Sequence, residues 1–211
     1  MRLQMGIVAV LILAGLLAGI LLYGSLPMQM AMHWGVSGKA NGGMPRLVGI
    51  LFMPVLTLLL TAFLFFLPRM DPLGKNVKLF QEEYEWFLVL FAAFFTYVHA
   101  LILVWNMGIP FSFTRWLMPA LAVFFFGIGV FLPYCRRNYF IGIRTPWTLH
   151  DDTVWKKTHL FGGAAFKLLG VLILLGLALP SAAFFICFLV ALLALVIAVL
   201  AYSYFVYKNR R

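Results

Sequence analysis

Charged residues are the scarcest class in this 211-residue chain: Asp, Glu, Lys and Arg together make up 10%, and only six of them are acidic. Hydrophobic residues make up 64%. Ordinary soluble domains carry about 25% charged residues, so this composition excludes one and leaves no room for a separate soluble domain. Only two cysteines occur, Cys135 at the end of one hydrophobic block and Cys187 inside another, which argues against a disulfide scaffold.

Carboxylates at membrane depth are absent as well, because all six lie in two polar segments or at the edge of an apolar run. Membrane enzymes and ion-coupled transporters usually keep an ionisable group in the membrane for their work. No HExxH pattern or paired-cysteine zinc spacing occurs. His150 and His159 are nine residues apart, which places them on opposite sides of a helix. We therefore predict a protein that is not an enzyme, with no catalytic residue, cofactor or metal site.

Long apolar runs are what the chain has instead. Each approaches the roughly 20 residues that a helix needs to cross a bilayer. The predicted fold is an all-α, polytopic membrane protein with six transmembrane helices, at Met5–Tyr23, Leu47–Leu67, Trp86–Trp105, Trp116–Cys135, Leu160–Leu179 and Ala182–Tyr204.

The basic residues predict the orientation. Of the 16 Lys and Arg residues, only Lys39, Arg46 and Arg115 would lie outside if the amino terminus is cytoplasmic. Cytoplasmic loops carry the excess of basic residues, so both chain ends, with Arg2 and Arg211, are predicted to be cytoplasmic. The same bias accounts for the net charge of +10, and we predict no direct binding to nucleic acid.

The most polar stretch between two hydrophobic blocks is Asn138–Gly163, NYFIGIRTPWTLHDDTVWKKTHLFGG. Pro146 disfavours the helical region for the residue before it. We predict that a helix then begins with Thr148 as its N-cap and Asp151 at the capping-box position. Trp147, Val154 and Phe161 are spaced by seven and form an apolar stripe. This pattern predicts a short amphipathic interfacial helix on the cytoplasmic side, between the fourth and fifth spans.

The connection between the first two spans, Leu26–Arg46, contains several glycines and two prolines. It is too irregular to remain in lipid unless protein buries it. His33 and Trp34 lie in its middle. They are either an interfacial anchor for this outer loop or an outward-facing recognition element.

The polar stretch resembles a known family. Gly142 to Leu149, GIRTPWTL, followed by Val154-Trp155-Lys156, resembles the hallmark of the SdpI family of bacterial membrane proteins. Leu26-Pro27, His33-Trp34 and Gly38 are similar to the LPxxIPxHW…G pattern of an N-terminal module found in that family. Ala31 stands where that pattern usually has Pro, and Asn41 where an acidic residue is common.

The resemblance implies one integral membrane domain, 1–211, in the bacterial plasma membrane. Within it, 1–67 would be a two-helix module with an outer loop, 25–46. The remainder, 85–211, would be the SdpI-like region with a cytoplasmic segment, 136–163.

The resemblance also implies a non-enzymatic immunity and signalling protein. Such a protein resists a secreted, membrane-active toxin peptide and holds a cytoplasmic transcriptional repressor at the membrane. The implied toxin-binding residues on the outer face are His33, Trp34 and Gly38. The implied residues for a cytoplasmic partner, for membrane lipids or for structure are Gly142, Arg144, Thr145, Pro146, Trp147, Thr148, Trp155, Lys156 and Lys157.

Two alternatives stay open. Arg144 either serves in binding or forms a structural ion pair with Asp151 or Asp152. The chain as a whole is alternatively a small transporter or exporter of a peptide or lipid, which His99 inside a span and the kinkable Pro54 would favour.

Overall fold

The computed structural model describes residues 3–35, 38–109 and 111–210. Within these ranges, six helices are long and apolar enough to cross a membrane, which confirms the predicted fold. Arg2 and Arg211, which the orientation prediction counts, lie outside the described residues. The six helices are α1 Leu3–Leu21, α2 Arg46–Phe66, α4 Gln81–Asn106, α5 Phe113–Phe131, α7 Asp152–Leu175 and α8 Ser181–Lys208; the shorter helices are α3 Gly74–Lys78 and α6 Pro146–His150.

A β-hairpin occupies the first connection, which the sequence suggested would be irregular. Strands β1 Gln29–Trp34 and β2 Ala40–Pro45 pair antiparallel, with Met30 opposite Met44 and Ala31 opposite Gly43. The register shifts after Ala31. A Cβ on Gly43 would lie only 2.8 Å from the carbonyl oxygen of Met30, so the close strand approach requires glycine there.

The helices form a chain of neighbours. The first helix packs on α4 and α2, α4 on α5, α5 on α7, and α7 on α8. The closest approach joins α5 to α7, because a Cβ on Gly129 would lie 2.6 Å from the carbonyl oxygen of Gly163. Small residues at such crossings let two helix backbones meet inside a membrane.

Two apolar clusters mark the two ends of the bundle. One joins Val8 of α1 to Phe80, Ile141 and Trp155. The other joins Leu26 and Met30 of the hairpin region to Phe113 at the start of α5. We call these the signature end, which holds the Asn138–Gly163 segment (the signature segment), and the hairpin end, which holds Gln29–Pro45 (the outer hairpin).

The predicted interfacial helix is not formed as one element. Asp151 is extended, with φ −144° and ψ 129°, and separates the five-residue α6 from α7. Thr145, not Thr148, caps α6, because Pro146 at the first helical position keeps Thr145 extended. Asp151 caps α7 by accepting a hydrogen bond from the backbone N–H of Val154 at 2.9 Å. Trp147 therefore belongs to a different helix from Val154 and Phe161.

Candidate functional site

Asn138 organises the start of the signature segment. Its side chain is fully buried. The amide nitrogen donates to the carbonyl oxygens of Arg136 and Ile141, at 2.7 and 2.9 Å. The amide oxygen accepts from the backbone N–H groups of Phe140 and Ile141, at 2.9 and 2.6 Å. One side chain thus satisfies four backbone groups that a non-helical buried turn would otherwise leave unpaired.

The connection between α2 and α4 holds this turn from the other side. The two carboxylate oxygens of Asp71 accept from the backbone N–H groups of Leu73 and Tyr139, at 2.7 and 2.8 Å. The amide of Asn76 donates to the carbonyl oxygen of Arg137 at 2.8 Å. The two polar connections at the signature end are therefore one hydrogen-bonded unit.

His159 fixes the glycine of the GIRTPWTL string. The backbone N–H of Ile143 donates to its Nε2 at 2.9 Å. Because Nε2 accepts, Nδ1 of the neutral ring carries the proton, and it donates to the carbonyl oxygen of Trp155 at 2.8 Å. Gly142 adopts φ +105°, and a Cβ there would clash with His159 Nε2. Only glycine fits this position.

Trp155 completes this buried network. Its ring stacks on His159, with centroids 4.1 Å apart and planes 20° apart. The indole N–H donates to the carbonyl oxygen of Cys135 at 2.8 Å. A buried indole needs such a partner, so Trp155 ties the end of the fourth span to the start of α7, and its side chain is buried rather than exposed at the surface.

Thr145 and Thr148 form a reciprocal cap. The backbone N–H of Thr148 donates to Thr145 Oγ1 at 3.1 Å, and the backbone N–H of Thr145 donates to Thr148 Oγ1 at 2.8 Å. Both threonines are buried. Their role in this structure is to start α6, as a capping box does.

Of the two alternatives for Arg144, the ion pair with Asp151 or Asp152 is not formed among the described residues. Its Nη1 donates to the carbonyl oxygen of Tyr139 at 2.9 Å. Asp152 instead pairs with Arg137, at 2.8 Å, and Asp151 pairs with Arg210 near the end of the chain. Those two arginines approach the carboxylates from neighbouring segments, and among the described residues the exposed Arg144 guanidinium is bonded to the backbone of Tyr139.

The Arg210 pair has an electrostatic consequence. The pKa of the Asp151 carboxyl lies below its usual value, chiefly because it accepts the backbone N–H of Val154 and secondarily because the Arg210 guanidinium is close. Arg210 also lies over the ring of Tyr207, 4.3 Å from its centroid. The end of α8 is thereby attached to the signature segment.

The remaining signature residues are accessible. Lys156, Lys157 and Pro146 are exposed on the surface of the signature end. Trp147 is half-buried and meets Tyr204 of α8 edge to face, with centroids 5.2 Å apart. The nine residues predicted for this end therefore differ in accessibility, and the exposed charged side chains among them are Arg144, Lys156 and Lys157.

At the hairpin end, the two residues of the His33-Trp34 pair differ in environment. Trp34 stacks on Phe113, with centroids 3.8 Å apart, and meets Trp105 edge to face at 5.5 Å. His33 is exposed, and its Nδ1 is hydrogen-bonded to the side-chain oxygen of Asn41 across the hairpin. Trp34 is thus the anchor, and His33 is the exposed member.

Gly38 lies in the turn between the strands with φ +76°, a conformation that favours glycine. Its N–H donates to the carbonyl oxygen of Gly35 at 2.8 Å. Val36 and Ser37 lie outside the described residues. Gly38 therefore supports the shape of the hairpin tip.

Asn106, at the end of α4, holds the outer hairpin in place. Its side-chain oxygen accepts from the N–H of Ala31 at 2.8 Å, and its amide donates to the carbonyl oxygens of Ala31 and Ile102 at 3.0 and 2.8 Å. A cavity of about 390 Å³ opens beside this contact and is lined partly by Gln29 and Phe111. The Ala31 N–H that Asn106 uses would be missing from a proline.

His99 is buried within α4, and its Nε2 lies 3.2 Å from the carbonyl oxygen of Gly15 in α1. A Cβ on Gly15 would lie 3.5 Å from the imidazole. This is a contact between neighbouring helices, of the kind that polar side chains make inside membranes.

Sequence reasoning did not assign roles to Asn138, His159, Asp71, Asn76 or Asn106. The side chains of four of them form hydrogen bonds with backbone groups that are distant in sequence, so no local sequence pattern indicates their roles. Only Asn138 acts locally; an Asn at the start of a non-helical stretch is the one signal that could have indicated its turn.

Comparison with known proteins supports the family resemblance that the sequence motifs indicate. Residues 134–203 match the model of the SdpI/YfhL protein family, and residues 10–58 match the model of a domain of unknown function, DUF1648. The chain is 26% identical over 201 residues to a Bacillus subtilis (strain 168) protein named Immunity protein SdpI, and the alignment covers 95% of this chain and 94% of that protein. No solved structure matches the chain significantly.

The SdpI/YfhL match spans the whole signature segment, α7 and most of α8, and the DUF1648 match spans the outer hairpin. The resemblance to the SdpI family that the sequence motifs indicate is therefore confirmed, by the family-model match over 134–203 and by a curated relative aligned along nearly the whole chain.

Proposed function

We propose that this chain is a non-enzymatic membrane immunity protein that binds a secreted toxin peptide at the hairpin end and a cytoplasmic repressor at the signature end. The observation that carries the proposal is the near full-length similarity to a protein named as an immunity protein. The two matched regions also coincide with the two ends of the bundle where polar side chains reach the surface.

At the hairpin end, the proposed toxin contacts are the exposed His33 and Asn41 side chains and the cavity beside Ala31. The cavity is bordered by both aromatic and polar groups, including Trp105 and Asn106, which suits an amphipathic peptide. Trp34 and Gly38 support this surface from behind, through ring stacking and turn geometry.

At the signature end, Arg144, Lys156 and Lys157 form the proposed contact for the repressor. The buried network of Asn138 and His159 holds the backbone beneath them, so the cations are presented from a rigid base. Such an exposed basic surface favours an acidic protein partner. The predicted orientation would place this surface in the cytoplasm.

The test is survival of a toxin-sensitive bacterium that lacks its own immunity gene and expresses this chain. We expect wild type to protect the cells from the membrane-active toxin peptide that the family resemblance implies. His33→Ala with Asn41→Ala should reduce protection at least tenfold in toxin dose, at an unchanged protein level. The matched triple variant Arg144→Gln, Lys156→Gln and Lys157→Gln should still protect, because it alters the opposite end.

The second arm follows a fluorescent fusion of the candidate repressor. We expect toxin to recruit it to membranes that contain wild type but not to membranes that contain the triple variant. If well-expressed wild type gives no protection, the immunity proposal is wrong. If the hairpin variant protects fully, the assignment of toxin binding to His33 and Asn41 is wrong.

A further inference from the structure

One cavity is separate from both surfaces above. It has a volume of about 480 Å³ and lies between the end of α2, the connection to α4 and the first turns of α4. Phe65 and Tyr84 contribute aromatic walls, and Arg69, Lys75 and Lys78 contribute cations. Neither the sequence motifs nor the proposed function uses this cavity.

The cations of this cavity have no acidic partner. Across 3–35, 38–109 and 111–210, no carboxylate forms an ion pair with Arg69, Lys75 or Lys78. The two acidic residues of the lining are already engaged: Asp71 accepts two backbone N–H groups, and Glu85 accepts from the side chain of Gln81 at 3.0 Å. These neutral donors leave both carboxylates charged, but the three cations of the lining outnumber them, so the formal charge of the lining is positive.

Phosphate is the anion that fits this set of donors. Guanidinium and ammonium groups give charge-assisted hydrogen bonds to phosphate oxygens. Arg69 is also held in place, because its guanidinium lies 5.2 Å from the centroid of the Phe65 ring and 4.7 Å from that of Phe66. An arginine fixed between aromatic faces loses little conformational freedom on binding.

The position of the cavity and its exposed apolar neighbours favour a lipid headgroup as the source of the phosphate. The cavity lies at the ends of two membrane-spanning helices. Met70 and Leu79, which border the connection, expose 68% and 72% of their surfaces. Large apolar side chains next to cations are typical of a segment that lies in the headgroup region of a bilayer.

We propose that this cavity binds the phosphate headgroup of an anionic phospholipid, with Arg69, Lys75 and Lys78 as its ligands. The aromatic walls contact the glycerol and upper acyl region. The site holds one lipid at the signature end, and its recognition does not depend on the toxin or the repressor.

The experiment titrates the purified full-length protein, in a neutral detergent, with dioctanoyl phosphatidylglycerol and counts bound lipids by native mass spectrometry. We expect one lipid to bind, with dioctanoyl phosphatidylcholine binding at least tenfold more weakly. The variant Arg69→Gln, Lys75→Gln, Lys78→Gln should bind about a hundredfold more weakly, because each interfacial cation contributes about fivefold. The matched variant Arg144→Gln, Lys156→Gln, Lys157→Gln should change affinity less than threefold.

If the triple variant does not elute as a single species, Lys75→Gln alone carries the test, with an expected fivefold loss. Equal loss in the two triple variants would overturn the site, because it would show nonspecific attraction. Equal binding of phosphatidylcholine, or unchanged binding by the cavity variants, would overturn it as well. Inorganic phosphate that displaces the lipid at equal concentration would assign the cavity to free phosphate and overturn the lipid proposal.

Discussion

The two ends of the bundle use their matched sequence motifs in different ways. At the signature end, Thr145, Thr148 and Trp155 are buried and donate or accept hydrogen bonds within the protein. At the hairpin end, His33 is exposed and bonded to one side chain, while Trp34 is packed behind it. Most residues of a long recognisable motif can therefore stabilise the fold. The surface that meets a partner can then consist of the few exposed residues that the motif holds in place.

The comparison has an energetic consequence. A buried polar group that loses its partner costs about 1–3 kcal/mol, whereas an exposed one is satisfied by water. Equivalent substitutions should thus destabilise the protein more at the signature end than at the hairpin end. Substitutions of exposed residues should instead reduce function while leaving the stability of the fold almost unchanged.

The largest expected effect is that of Gly142→Ala. A Cβ at φ +105° is strained and overlaps the His159 ring, so we expect a loss of about 3 kcal/mol or more in the free energy of unfolding. Gly24→Ala is the control, because a Cβ there would meet nothing within 4 Å. Thermal unfolding of both variants in detergent measures the difference. A Gly142→Ala variant as stable as wild type would contradict the described conformation of the signature segment.

Asn138→Ala should come next. It removes a fully buried amide that satisfies four backbone groups, and we expect a loss of about 2–3 kcal/mol. The outer counterpart is Asn41→Ala, which removes one exposed hydrogen bond and should cost less than about 1 kcal/mol. If chemical unfolding gives equal losses in the free energy of unfolding for the two variants, the expected difference in stability between the two ends is wrong.

Asn106→Ala and Asn76→Ala test whether the two ends of the bundle are stabilised independently. Asn106→Ala removes the side chain that pairs with Ala31 of β1, so we expect a loss of about 1–2 kcal/mol in local stability. Amide hydrogen exchange should then accelerate in the outer hairpin and stay unchanged in the signature segment. Asn76→Ala should give the opposite distribution, since it releases Arg137. Faster exchange at both ends in either variant would show that the two ends unfold together.

The smallest expected effect concerns pH. The pKa of Asp151 is lower in the folded state than its ordinary value, so its contribution is present above the unfolded pKa of about 3.9 and is lost as pH falls through the folded value. Asp151→Asn keeps a capping acceptor but removes the charge, and at pH 7 it should cost less than about 1 kcal/mol.

Below about pH 4 the difference between wild type and Asp151→Asn should shrink. Arg210→Gln is the matched variant, because it removes the ion pair but keeps a charged carboxylate as the acceptor for the Val154 N–H. The loss in the free energy of unfolding should therefore be smaller for Arg210→Gln than for Asp151→Asn. Unfolding midpoints measured from pH 3 to pH 7 check this. A difference that grows on acidification would contradict the assigned direction of the shift.

The sequence alone determined the spanning helices, because length and hydropathy are local properties of each run. All six predicted spans overlap the helices that are long enough to cross a membrane. The extended Thr145 before Pro146 was likewise predictable, since the proline ring restricts its neighbour directly. The SdpI resemblance came from contiguous strings, and it too required no tertiary information.

Tertiary structure decided which residues build the two ends. Asn76 and Arg137 are 61 positions apart, Asp71 and Tyr139 are 68 apart, and Ala31 and Asn106 are 75 apart. Hydrogen bonds at such separations depend on how the helices pack, which no local pattern encodes. The same reason explains Arg144: two aspartates lie close to it in sequence, but in space Arg137, from the segment before α6, and Arg210, just past the end of α8, reach them.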